Sequence, residues 1–128
     1  MRDRHLYDYV VVRVVPRPER EEFVNVGVIV SCPALKFLEA RIELDEARVR
    51  ALDPDADLDV LRAHLDGIAR VCAGTADAGP IGRLGQRERF HWLVAPRSAM
   101  IQTSAVHTGY CALPAQALDH LVRTMVRR

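Results

Sequence analysis

No part of this chain is apolar for long enough to cross a bilayer or to act as a secretory leader. Its longest valine run, Val10 to Val15, is broken by Arg13, and the Met1–His5 segment ahead of it is charged. The expected address is therefore the cytoplasm. An excess of one charge is also missing: 18 basic against 17 acidic residues give a formal net charge of +1, so no strong global field attracts nucleic acid or membrane. Lys36 is the only lysine. The arginine and alanine excess fits the codon usage of a GC-rich genome better than it fits anion binding. Cysteine is sparse. Cys32, Cys72 and Cys111 form no close pair, and an odd, scattered set points to reduced thiols buried as small apolar groups.

What is present is an ordinary globular chain. Its 128 residues fit one domain with one core, residues 1–128, and its 49% apolar share argues against disorder. Leu6 to Val15 and Phe23 to Cys32 read as two strands joined by the polar, proline-bearing loop Pro16–Glu22, which suggests an antiparallel hairpin. Period-two spacing puts Val10, Val12 and Val14 on one face, with Tyr7, Tyr9, Val11 and Arg13 on the other. Val24, Val26, Val28 and Val30 likewise read as one face of the second strand. Phe37 to Leu44 alternates as a half-exposed third strand.

Asp45 and Asp57 read as caps of two helices, the first running through Leu52, the second carrying Leu58, Leu61, Leu65, Ile68 and Cys72 at helical spacing. Ala73 to Gln86, rich in glycine, reads as a long loop. Phe90 to Ala95 and Met100 to Ser104 read as short strands. Pro114 opens a last helix with the stripe Leu118, Leu121, Val122 and Met125. The expected fold is α+β, a mainly antiparallel mixed sheet of about five strands, with the two main helices covering one valine face.

Motifs for known chemistry fail on spacing. Asp53 to Asp59 begins like a calcium loop, but Leu58 and His64 stand where Gly and Glu are needed, so helix-start carboxylates are the better account. Gly74 to Gly85 follows a helix and lacks Lys-Ser/Thr, which excludes a Walker or dinucleotide loop. His91, His107, Cys32, Cys72 and Cys111 include no Cys-x-x-Cys or His-Glu-x-x-His, so no metal and no cofactor is expected. Ser98 and Ser104, with His91 or His107 as base, lack a nucleophile elbow. Arg87, Arg89, Phe90, His91 and Trp92 interleave cations with aromatics as single-stranded nucleic-acid binders do, yet the neutral net charge speaks against that role.

Two polar groups remain without a packing reason: Arg13, Asn25 and Gly27 in the hairpin, and Arg97, Gln102, Thr103, His107 and Thr108 near the end of the chain. Asparagine is disfavoured in strands, and a strand glycine marks a close approach. These eight residues form the candidate ligand-binding set, of which Arg13, Asn25, Gln102, Thr103, His107 and Thr108 are expected to cluster on one surface; the structural alternative is that Asn25 and Thr103 bond backbone at a bulge and a turn. The segments Tyr7-Asp8-Tyr9, Val14-Val15-Pro16 and Glu22 to Val28, followed by Ile101 to Ser104 and His107-Thr108-Gly109, which carry most of these residues, resemble a bacterial family named domain of unknown function 3037. The resemblance spans nearly the whole chain and implies no activity and no catalytic residue. It brings a loose association with neighbouring genes that resemble toxin-type protein kinases, which favours a protein-binding role.

The expected function is therefore a non-catalytic adaptor recognising a protein partner. The alternative is a small enzyme for a phosphate- or carboxylate-bearing ligand, with His107 as acid–base group and Arg13 or Arg97 holding the anion. A homodimer is expected through the Phe37–Leu44 edge or the apolar side of the Pro114 helix.

Overall fold

The computed structural model describes residues 4–95 and 100–127. Valine-rich, β-branched sequence forms the long hairpin of β1 (His5–Val14) and β2 (Val24–Cys32), paired antiparallel. β3 (Phe37–Ile42) lies along the outer edge of β2. Two helices follow: α1 (Glu46–Leu52), whose Asp45 cap accepts from the Arg48 amide, and α2 (Leu58–Ala73), whose Asp57 cap accepts from the Val60 amide. Then come α3 (Gly79–Gly82), α4 (Gln86–Val94), β4 (Ile101–Thr103), β5 (His107–Cys111) and α5 (Pro114–Leu121), which runs on as a π-helical turn through Val126. The sheet order is β3-β2-β1, and the remaining edge of β1 is shared by β5 along His5–Tyr9 and β4 along Val12–Val14. Every pairing is antiparallel, and the class is α+β.

A β-bulge decides where the helices go. Val12 faces Gly27 but Arg13 faces Asn25, so Val26 is an extra residue in β2. One extra residue inverts the alternation beyond it. Val24 and Val26 therefore join Val10, Val12 and Val14 in the core under α1, α2 and α4, together with Val49, Leu61, Leu65, Phe90 and Leu93. Val28 and Val30 point the opposite way and pack with Leu118, Leu121, Val122 and Val126 of the C-terminal helix. The expectation of one valine face under both main helices is corrected accordingly: α2 and α5 cover opposite faces of the sheet. Of the expected C-terminal stripe, Leu118, Leu121 and Val122 are buried in this second core, while Met125 stays 40% exposed. On β3, Arg41 pairs with Asp119 of α5, so that edge carries engaged charge.

Two further segments differ from the sequence reading. Residues 90–94 are helical, not a strand, because Phe90 and Leu93 are buried at i, i+3 spacing. A five-residue apolar run satisfies either period, and the contact with α2 chooses the helix. Arg89 donates from Nη1 to the carbonyls of Val71 and Cys72 at 2.9 and 2.6 Å, capping the C-terminus of α2. Arg89 and Phe90 of the cation–aromatic interleaving thus serve helix packing, while Arg87 and His91 are exposed. The stretch from Ala73 to Gln86 contains a 3-10 turn and α3 instead of a plain loop, with Gly74 in the left-handed conformation (φ 67°) closing α2. β5 escaped the sequence reading altogether, since His107-Thr108-Gly109 has no apolar alternation.

Gly27 sits where β3 crosses the bulge. A Cβ there would lie 2.5 Å from Ile42 Cδ1 and 2.8 Å from the Arg41 carbonyl oxygen. The nearby backbone cannot yield as a side chain would. Gly27→Ala is expected to destabilise the fold by about 1–3 kcal/mol, read as a lowered urea midpoint at unchanged m-value; a midpoint equal to wild type would show that the strand pair yields there at no cost.

Candidate functional site

The candidate residues occupy the sheet in a definite pattern. Asn25, Arg13 and Gln102 are consecutive cross-strand partners on β2, β1 and β4, forming one row on the α5 side. Arg13 lays its guanidinium 4.3 Å from the centroid of the Phe23 ring, a cation–π contact with a ring that is 47% exposed. Its Nε is buried without a hydrogen-bond partner, as is Oδ1 of Asn25. A donor and an acceptor thus stand unpaired on neighbouring strands. Asn25, the only asparagine in the chain, uses its amide Nδ2 to donate to the Met125 carbonyl at 3.0 Å.

His107 shares this face but not this place. It pairs with Tyr9 and stacks on its ring at 5.2 Å, while Tyr7 lies 6.0 Å beyond Tyr9. Tyr7 covers Gly109, where a Cβ would come within 2.9 Å of the phenol. That close approach is the reason for glycine after His107-Thr108. Burial raises the Tyr7 pKa above its ordinary value, helped by the neighbouring Cys111 and Tyr9. Tyr9 and Arg13 are four residues apart on one strand, about 13 Å at the usual rise. An enzyme using His107 as acid–base group and Arg13 as anion holder would need a substrate spanning that distance across the buried Val11.

Thr103 and Thr108 lie on the other face. Thr108 Oγ1 donates to Asp8 Oδ1 at 2.8 Å, an ordinary cross-strand bond. Thr103 lines a cavity of about 820 Å³ between α2, α4 and β4. Gly27 is taken up by the approach of β3. Arg97 and Ser98 lie outside the described residues. Ser104 is buried and spoken for: its Oγ accepts from the Val11 amide and donates to the Ala105 carbonyl, both at 2.9 Å. The six residues expected to cluster therefore do not form one cluster; three share a row, His107 stands further along the same face, and the threonines face away.

The surface that sequence reasoning missed lies around β5. Among the described residues, no strand pairs with the outer edge of β5. His107–Cys111 contains no acidic residue, lysine, arginine or proline, the usual guards of a free edge. Tyr110 is 69% exposed beside its cross-strand partner Leu6 at 50%, and the exposed Val106 and Leu113 flank the strand. The signal was present in Val106, Tyr110 and Leu113, but without the strand assignment those residues had no common edge.

A family model described as Protein of unknown function (DUF3037) matches residues 9–126. The chain belongs to this family. No curated protein and no solved structure matches it. Membership in the family of unknown function supplies no site residues, so the geometry alone ranks them.

The C-terminal turn is tied down by side chains from three elements. Asn25 holds the Met125 carbonyl, Arg48 Nη1 donates to the Val126 carbonyl at 3.1 Å, and Arg127 forms a two-pronged pair with Glu43 at 2.7 and 2.6 Å. The Arg127 hydrogen bond holds the Glu43 carboxyl below its ordinary value of 4.5, against a smaller opposing effect of burial. A carboxyl with a lowered folded pKa stabilises above its unfolded value and loses that contribution as pH falls through the folded one. The C-terminal link is therefore expected to be complete above pH 4.5 and to release below it. Protection of the Val126 and Arg127 amides, taken relative to their intrinsic exchange at each pH, should fall on acidification in wild type but show no such step in Glu43→Gln; identical profiles would mean the pair contributes nothing. Asn25→Ala is expected to cost about 1 kcal/mol and to raise exchange in the same turn at neutral pH.

Proposed function

We propose that this chain is a protein-binding adaptor whose β5 edge receives an extended segment of a partner as an added strand. The observation that carries this reading is the unguarded edge of β5. An unpaired strand edge offers main-chain donors and acceptors in a row, and strand addition is a recurrent way of using them. Side chains alternate about the added strand, so Leu6 and Tyr110 would meet apolar partner residues on one face and His107, stacked on Tyr9, would meet the other.

The partner chemistry is accordingly an extended segment with alternating apolar residues and little charge. Kinase-like proteins are the partner class that the family resemblance suggests, and a bacterial cytoplasm is the setting it implies. In support, no helix among the described residues is long and apolar enough to cross a membrane. His107 is exposed and does not line the cavity beside α2, which weighs against the acid–base alternative.

Affinity purification of the tagged chain from its native cells, followed by mass spectrometry, tests the proposal against a Val106→Asp/Tyr110→Asp double variant. Both positions are exposed, so the variant is expected to fold like wild type. A protein recovered with wild type should fall by about tenfold or more with the variant, the scale of one well-buried contact. Undiminished recovery of the same protein with the variant would place the interface elsewhere.

A further inference from the structure

The cavity on the α2 face has the dimensions and lining of a small-molecule site. Its volume of about 820 Å³ falls within the range of ligand pockets. One wall is a stripe of α2, His64, Gly67, Ile68 and Val71, at the i, i+3, i+4, i+7 spacing that aligns residues on one helix face. The facing walls combine the apolar Trp92 and Val94 of α4 and Ile101 of β4 with the polar Gln102, Thr103 and Ser104.

Gly67 keeps this space open. A Cβ built there meets nothing nearer than Arg70 Nη2 at 3.8 Å, although glycine lowers helix propensity in the middle of a long helix. The same contact places the Arg70 guanidinium over Gly67, at the rim of the cavity. Arg70 is held there only loosely, with Nε 4.0 Å from Asp77 Oδ2, while Asp77 Oδ1 accepts the Thr75 hydroxyl. Its planar fork therefore retains donors for a second anion. Asp77 also lines the cavity and offsets part of the Arg70 charge, so the rim suits one negative charge better than two.

We propose that this cavity binds a small amphipathic monocarboxylate, with its apolar body against Ile68, Trp92, Val94 and Ile101 and its carboxylate on Arg70. The site is separate from the β5 edge, and Thr103 becomes part of its floor.

Trp92 is the only tryptophan in the chain, so its fluorescence reports on the cavity directly. The full chain is titrated with decanoate and, in parallel, with uncharged decanol. Decanoate is expected to give a saturable change in emission at a concentration about tenfold lower than decanol, the effect of one charge-assisted hydrogen bond. Arg70→Ala should remove that preference while leaving decanol binding unchanged. Gly67→Leu, which fills the cavity from α2, should abolish both changes, with far-UV circular dichroism confirming the fold. Thr103→Leu fills it from β4 and replaces Gly67→Leu should that variant fail to fold. No saturable change with decanoate, equal affinity for decanol in wild type, or binding that survives the filled cavity would each overturn the proposal.

Discussion

The extra residue at Val26 is the constraint on which the rest of this structure depends. Without it, one hairpin strand would carry a continuous valine face and a continuous opposite face, and one helical layer would suffice. With it, β2 gives Val24 and Val26 to the layer of α1, α2 and α4, and Val28 and Val30 to α5. The bulge also brings β3 against Gly27 so closely that no side chain fits there. A single irregularity in hydrogen-bond register thus makes the domain three layers deep, with a sheet between two unequal helical covers.

The sequence made the regular parts of this fold legible and left the irregular parts out of sight. Both hairpin strands, β3, the Asp45 and Asp57 caps and the helix from Pro114 could be read from periodicity and capping, because each is decided by local chemistry. The bulge could not be read: alternation in β2 continues unbroken on paper, and only pairing with β1 shows that one residue is surplus. The segment Phe90 to Val94 was misread because five apolar-rich residues satisfy two periods, and its packing against α2 decides between them. β5 was missed because its polar sequence is suited to an edge, where burial does not impose alternation.

The candidate site was legible in part and for a mixed reason. Asn25 and Arg13 do stand in one row with Gln102, as their shared strand face required. Gly27, Ser104 and Thr108 drew attention because they are unusual, and each proves to serve a local structural need: a close strand crossing, a cross-strand tie and a bond to Asp8. Polarity inside a sheet is thus not in itself a mark of ligand chemistry. The β5 edge and the cavity beside Gly67 combine apolar and polar residues from distant parts of the sequence, and no local period marks either of them.

β1 is the first strand made and the last completed. One of its edges is closed early by β2, but the other waits for β4 and β5; the Val11 amide is bonded to a serine 93 residues further on. During synthesis at the ribosome the valine-rich stretch from Val10 to Val15 must therefore stand with one side unpaired until β4 and β5 have emerged. Closure over such a separation is slow, and at translation rates of about 5–20 residues per second the delay lasts several seconds. The open side of a newborn β1 is the same kind of adhesive edge that the finished domain presents on β5, so nascent chains are most exposed to mispairing with one another before β4 and β5 close it.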